Sequence, residues 1–328
     1  MRGKARRDDE LREARAASQD GFVVGVYWVR CDNLLDDART TMNVALPLLF
    51  FLAVASIGHA QAPPQAGAYL GQNPPGTTPV IFAPGVVSTG NIHSRLEISP
   101  DGQEMFWTTV DMKTFSTRML SVKNVGERWS DPQPPPFARD GNTQAAVFSP
   151  DGKTLFFSVN TGNGWARKYV EKTEAGWSAA RADGFLPNGS SSFTRSGRAY
   201  FSGDMKTKIW NTGIFGARYV SDGYADATPL GEAINRPNAI DYTPYVSPDE
   251  SFLLFSSNRP LNGDKEAMFI HVSFRHSNGM WSVPRRVSQI PARFPSLSPD
   301  GKYLFFCGDD GNIYWADRKI LDPLRPAS

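Results

Sequence analysis

Short apolar runs recur along the chain, and each follows the same polar corner. The unit is clearest at Phe148-Ser149-Pro150-Asp151-Gly152-Lys153-Thr154-Leu155-Phe156-Phe157. It returns as Ile98-Ser99-Pro100-Asp101-Gly102 before Met105-Phe106-Trp107, and as Val246-Ser247-Pro248-Asp249-Glu250 before Phe252 to Phe255. A further copy is Leu297-Ser298-Pro299-Asp300-Gly301 before Tyr303 to Phe306. A degenerate copy, Phe193-Thr194-Arg195-Ser196-Gly197, precedes Ala199 to Ser202. The corners start at 99, 149, 194, 247 and 298, so the steps are 50, 45, 53 and 51. Proline sets φ for the second turn position and Asp-Gly tolerates the left-handed corner, so each unit predicts a hairpin. Several short strands repeating at this period predict propeller blades. The residues just before the corners (Ile98, Phe148, Phe193, Val246 and Leu297) are all apolar, as a position packed between blades requires.

A second landmark follows within three periods: Arg128-Trp129-Ser130, Gly176-Trp177-Ser178 and Met280-Trp281-Ser282. A tryptophan at so regular a place is expected to cap the hairpin between third and fourth strands rather than stack on a sugar. These units resemble the WD40-like, or PD40, repeats of TolB-type propellers, in which Ser-Pro-Asp-Gly links the first two strands of each blade. The match runs from about Thr78 to Leu324, and the Gly-His and Trp-Asp marks of eukaryotic WD40 repeats are missing. Tyr69-Leu70-Gly71-Gln72 and Ile313-Tyr314-Trp315-Ala316-Asp317 also resemble a group of uncharacterised exported bacterial propellers. The resemblance implies a periplasmic role in protein interaction; no counterpart of the TolB-specific N-terminal domain is expected here, which sets the expected role apart from that of TolB itself.

The fold class expected is all-β: five blades, with a degenerate sixth as the alternative. Val80-Ile81-Phe82 and Val86-Val87 read as one strand without a hairpin partner, while the last period is short of a fourth strand. The 79–88 segment is therefore expected to close the ring as the outer strand of the last blade, which also covers a sheet edge. Asn211 to Tyr224, rich in glycine, reads as a long loop of the third blade.

Upstream of the repeats the pattern changes. Residues 1–41 are dense in charge and alanine, and Met42-Asn43 opens on the apolar run Val44 to Ile57, followed by Gly58-His59-Ala60. A run this short with small residues after it predicts a secretory signal peptide over 42–60, with Met42 as the biological start. The rival reading is an inner-membrane anchor over 44–57. Residues 61–78, rich in Pro, Gly, Gln and Ala, are expected to be an exposed linker or a strap across the surface, and 79–328 the propeller. A periplasmic or secreted location is expected, with no stable membrane insertion after cleavage.

The net charge of +2 points away from nucleic acid. Cys307 stands alone after the apolar run and reads as a buried, inert thiol. His93, His271 and His276 lie at no metal-ligand spacing, and His271 and His276 are expected at the surface. No metal, no cofactor and no catalytic set is expected, and the protein is expected to be a monomer.

Candidate chemistry comes from the first strand of each blade, which lines a propeller's channel. Counting back from the corners gives His93, Arg95, Glu97, Gln144, Asn188, Asp241, Tyr242 and Arg293 as a polar ring at the channel mouth. Such a ring suits a small polar ligand. The function expected is binding, with an envelope protein or a glycan as partner. The enzyme alternative is a glycoside hydrolase using Glu97 and Asp241, which would need the two carboxyls facing across one pocket. Arg95 and Glu97 could equally pair with each other, and Asp241 could cap a loop.

Overall fold

A computed structural model describes residues 66–139, 141–184, 186, 190–203, 213–220, 223–237, 239–260 and 267–326. The charged leader, the signal-like run and Asn188 lie outside these residues. Five antiparallel sheets succeed one another along the chain. Blade 1 holds Ile92–Ile98, Glu104–Val110, Thr117–Val125 and Arg128–Trp129. Blade 2 holds Thr143–Phe148, Thr154–Asn160, Trp165–Thr173 and Arg181–Ala182. Blade 3 holds Ser191–Phe193, Arg198–Ser202, Ile214–Val220 and Gly223–Pro229. Blade 4 holds Asp241–Val246, Phe252–Ser257, Phe269–Phe274 and Arg285–Arg286. Blade 5 holds Ala292–Leu297, Tyr303–Gly308, Ile313–Asp317 and, from the other end of the chain, Val80–Ile81. The first strands touch their neighbours around a full circle, blade 5 against blade 1, so the molecule is a closed five-bladed propeller.

The corners form as their chemistry dictates. The serine Oγ donates to the aspartate Oδ1 at 2.5 to 2.6 Å in blades 1, 2 and 5. The glycine N–H closes the turn on the serine carbonyl, with φ of +69° to +71°. Blade 3 rebuilds this corner without proline or aspartate: Thr194 and Ser196 share a 2.8 Å hydroxyl bond, and Gly197 N–H reaches Thr194 O. In blade 4 the left-handed position carries Glu250 at φ +58°. Its side chain accepts from Tyr200 Oη at 2.7 Å, which ties blade 4 to blade 3.

Apolar side chains fill the wedges between blades. Phe148 packs with Phe106 of blade 1, Phe193 with Phe156 of blade 2, and Val246 with Tyr200 of blade 3. The three tryptophans reach back in the same sense. Trp177 Nε1 donates to Glu104 of blade 1, Trp281 meets Tyr200 of blade 3 edge-on, and Trp129 Nε1 donates to Gly67 O. They are staples between neighbours rather than caps over a single hairpin.

Closure uses the expected segment in a shorter form. Val80 pairs with Trp315 and Ile81 with Tyr314. Phe82 is fully buried, its ring 5.1 Å from both Phe305 and Trp315. Val86–Val87 is not strand: the chain turns at Ala83, φ +43°, whose carbonyl accepts from residues 86, 87 and 88. That turn returns Ser88 Oγ to the N–H of Ile313. Two other expectations are corrected. Ile214–Val220 is the third strand of blade 3, because Ile214 and Ala217 bury into the wedges despite the glycines. His271 is buried in blade 4, stacked on Phe255, with Nδ1 3.0 Å from Phe269 O; His276 is exposed as expected.

Candidate functional site

All five first strands converge on the corner side of the ring, where a cavity of about 170 Å³ opens on the axis. Its rim is Pro100, Pro150, Pro248 and Pro299, with Arg195 in the fifth place. Its floor includes Arg95, Glu97, Ser192 and Tyr245. The rim arises from the repeat: each corner puts its proline at the same height, and the degenerate corner of blade 3 puts an exposed arginine there instead.

A bulge in the first strand decides which side chains reach this floor. In blades 1, 2, 4 and 5 the ladder slips by one residue, between Ser94 and Glu97, Gln144 and Val147, Tyr242 and Tyr245, and Arg293 and Ser296. Ala145, Thr243 and Phe294 take left-handed φ of +51° to +58° within it. An inserted residue bends the strand and re-aims the side chains beyond it. The polar ring read from the sequence is therefore split in two.

Arg95 sits in the bulge of blade 1 and crosses the bore. Its Nη1 donates to Ser191 O of blade 3 at 2.9 Å, and its Nε donates to Glu97 Oε2 at 3.1 Å. The guanidinium lies 6.0 Å from the centre of the Tyr245 ring. Glu97 Oε1 accepts from the N–H of Phe148 at 3.1 Å, so this carboxylate joins blades 1 and 2. Burial pushes its pKa up, and Arg95 and the Phe148 amide act against that rise. Burial likewise raises the pKa of the Tyr245 phenol. Two more ties run around the floor: Ser192 Oγ accepts from Val246 N, and Ser296 Oγ donates to Leu96 O.

The remaining predicted residues lie elsewhere. His93 and Arg293 meet toward the other end of the bore, around a cavity of about 20 Å³ with Cys307 and Asp309. Arg293 Nη1 donates to Asp309 Oδ1 at 2.6 Å, and burial pushes the Asp309 carboxyl up. His93 is buried, and this lowers its pKa to about 4, so it is neutral. Burial holds the Cys307 thiol protonated, as an inert thiol should be. Tyr242 packs edge-on against Phe294, its hydroxyl pKa raised by burial. Gln144 is half-buried on the first strand of blade 2, paired with Ser158. Asp241 lines neither cavity: Arg259 Nη2 donates to it at 2.7 Å, and it caps Arg236 N. Arg259 is itself held by Ala233 O, Ile234 O and Ser257 Oγ. The two carboxylates of the hydrolase reading thus occupy separate places, each engaged by an arginine.

The floor residues left out of the predicted ring, Ser192 and Tyr245, stand two before their corners, as Glu97 does. The signal for Arg195 is its replacement of a proline that all other corners keep.

No known family model matches the chain, and no curated protein does. Solved structures do. A putative TolB from Agrobacterium tumefaciens is 20% identical, covering 69% of this chain and 73% of that one, with a TM-score of 0.42. TolB from Acinetobacter baumannii is 13% identical over 71% of this chain and 56% of that one, at 0.44. A gluconolactonase from Xanthomonas campestris is 10% identical over 77% and 94%, at 0.43. The chain is a five-bladed propeller, three of its five corners Ser-Pro-Asp-Gly, in agreement with the TolB-type repeat resemblance. Among the described residues no helix is long and apolar enough to cross a membrane.

Proposed function

We propose that this protein is an exported propeller that works by binding, with the axial cavity on the corner side receiving part of a partner protein. The observation that carries the reading is the cavity itself. It draws polar and apolar groups from all five blades, and its volume is below the roughly 300 Å³ at which small-molecule pockets begin. It suits one inserted side chain or chain end of a larger partner better than an oligosaccharide. The prolines give a rigid rim, and Arg95, Arg195 and Tyr245 supply donors and a ring face. Export rests on the signal-like run at 42–60, which also favours a periplasmic or secreted partner.

Glycoside hydrolysis receives no such support, since it needs paired carboxyls roughly 5 to 10 Å apart across one pocket. The test presents wild-type protein and Arg195→Glu, at the exposed rim, to arrays of envelope proteins and glycans. The reading expects a protein partner whose capture falls tenfold or more in the variant. Capture only of glycans, or protein capture unmoved by Arg195→Glu, would overturn it.

A further inference from the structure

A much larger cavity, about 1070 Å³, lies off the axis on the corner side, between blades 1 and 5 and beneath the strap that leads into the closing strand. It shares Ile98, Pro100 and Pro299 with the axial cavity and extends away from it toward the strap, and its size is at the upper end of pockets that take small organic molecules. The strap is tightly placed. Gly67 N–H donates to Glu127 O at 3.1 Å, Trp129 Nε1 donates to Gly67 O at 2.7 Å, and Leu70 is buried. Tyr69 Oη donates to Asp300 Oδ1 at 3.2 Å, and its ring stands at 81° to that of Tyr303, 5.1 Å away.

The lining carries a net negative charge. Asp101, Glu127 and Asp300 face it; Lys172 pairs with Asp101 at 2.8 Å and Lys302 with Asp300 at 3.2 Å, which leaves the Glu127 carboxylate as the charge to be met. Tyr69, Tyr303 and Trp129 add aromatic wall, and Ile98 and Met105 an apolar base. Carboxylates attract a cation, and aromatic faces attract one further through the ring quadrupole. Anions are disfavoured by the same charges.

We infer that this cavity is a second binding site, for an organic cation bearing an ammonium group on an apolar stem. The tyrosine corner and the Ile98–Met105 base hold the stem, and Glu127 faces the charge. Two sources share this chemistry: a free polyamine, or a lysine side chain of a peptide.

The test is calorimetric titration of the full chain at low ionic strength with spermidine, a lysine tripeptide, citrate and maltotriose. Saturable binding of spermidine or the tripeptide is expected, whichever binds tighter naming the source, with citrate and maltotriose inert. Affinity should fall about three- to tenfold in Glu127→Gln, further in Glu127→Lys, and steeply as salt is raised to about 0.2 M. Glu127 is exposed, so unchanged melting of both variants checks the fold. Arg195→Glu, in the axial site, should leave amine binding as it is, which separates the two sites. The inference is overturned if neither amine saturates, if maltotriose binds as well as they do, or if Glu127→Lys changes nothing.

Discussion

The seam between blades 3 and 4 and the closure of blade 5 by the N-terminal segment are held by different chemistry. At the first, the chain runs on through the junction, and a buried polar clamp holds it: Asp241 with Arg259, and Arg259 with two carbonyls. At the second, the two ends of the propeller meet, and the contact is mainly aromatic: Phe82, Tyr69, Phe305 and Trp315, with Ser88 returning to Ile313. A clamp of charges has to be positioned before it contributes, and covalent continuity positions it. Where two distant segments must find each other, non-directional burial of large rings tolerates imperfect approach.

The contrast breaks most readily at single residues. Asp241→Ala leaves Arg259 buried without its partner and should cost about 3–5 kcal/mol in denaturant unfolding. Phe82→Ala should cost a similar ~3–5 kcal/mol by leaving a cavity. The two seams then separate on rescue. Adding Arg259→Met to Asp241→Ala should restore much of the loss, since an apolar pair can replace an ion pair; no one substitution opposite Phe82 should refill its space. If the double variant is no better than the single, the polar clamp is not limited by pairing.

Acid gives a second way to set the regions apart. His93, against blade 5 at the closing seam, and His271, inside blade 4, both have their pKa lowered to about 4 by burial. The unfolded chain takes up protons at about 6.5 and the folded one does not, so stability is full above about pH 6.5 and lost as pH falls toward 4. The corner carboxylates behave differently. Burial alone would raise the Asp101 pKa, but hydrogen bonds from Lys172, Ser99 and Gln103 outweigh it and hold the value at about 2. Its contribution is therefore lost only below about pH 4. Melting temperature measured from about pH 7.5 down to 3 should show the histidine loss first. His93→Gln should remove about half of the upper loss, His271 supplying the rest, and leave the lower part unchanged.

Smaller effects test the strap and the odd corner. Trp129→Phe removes one hydrogen bond to Gly67 while keeping an aromatic ring, for about 1 kcal/mol. Ser196→Asp in blade 3 should stay within about 0.5 kcal/mol, because Thr194 and Ser196 already supply the corner's bonds. A larger gain would mean the degenerate corner is strained.

The architecture is legible in the sequence because a corner needs particular residues. Proline, aspartate and glycine recur for reasons of φ and hydrogen bonding, so counting the corners counts the blades, and the shortfall of the last period points to the 79–88 segment, of which only Val80 and Ile81 pair. Ile214–Val220 is less legible, since Gly213 and Gly216 mask a strand whose burial comes from the neighbouring blade. The site is half legible. Arg95 and Glu97 stand out, and so does the option of their pairing. The bulge does not: Thr243 and Phe294 are residues that rarely adopt left-handed φ, so no local preference marks it. Residues before the bulge, His93, Asp241, Tyr242 and Arg293, consequently sit away from the floor that Glu97 shares with Ser192 and Tyr245.

Arg95 has one more consequence. Because its guanidinium reaches from blade 1 to the Ser191 carbonyl of blade 3, it stands as a crossbar between the corner-side cavity and the small one beyond. A guest seated on the corner side therefore rests against a side chain that also braces two non-adjacent blades.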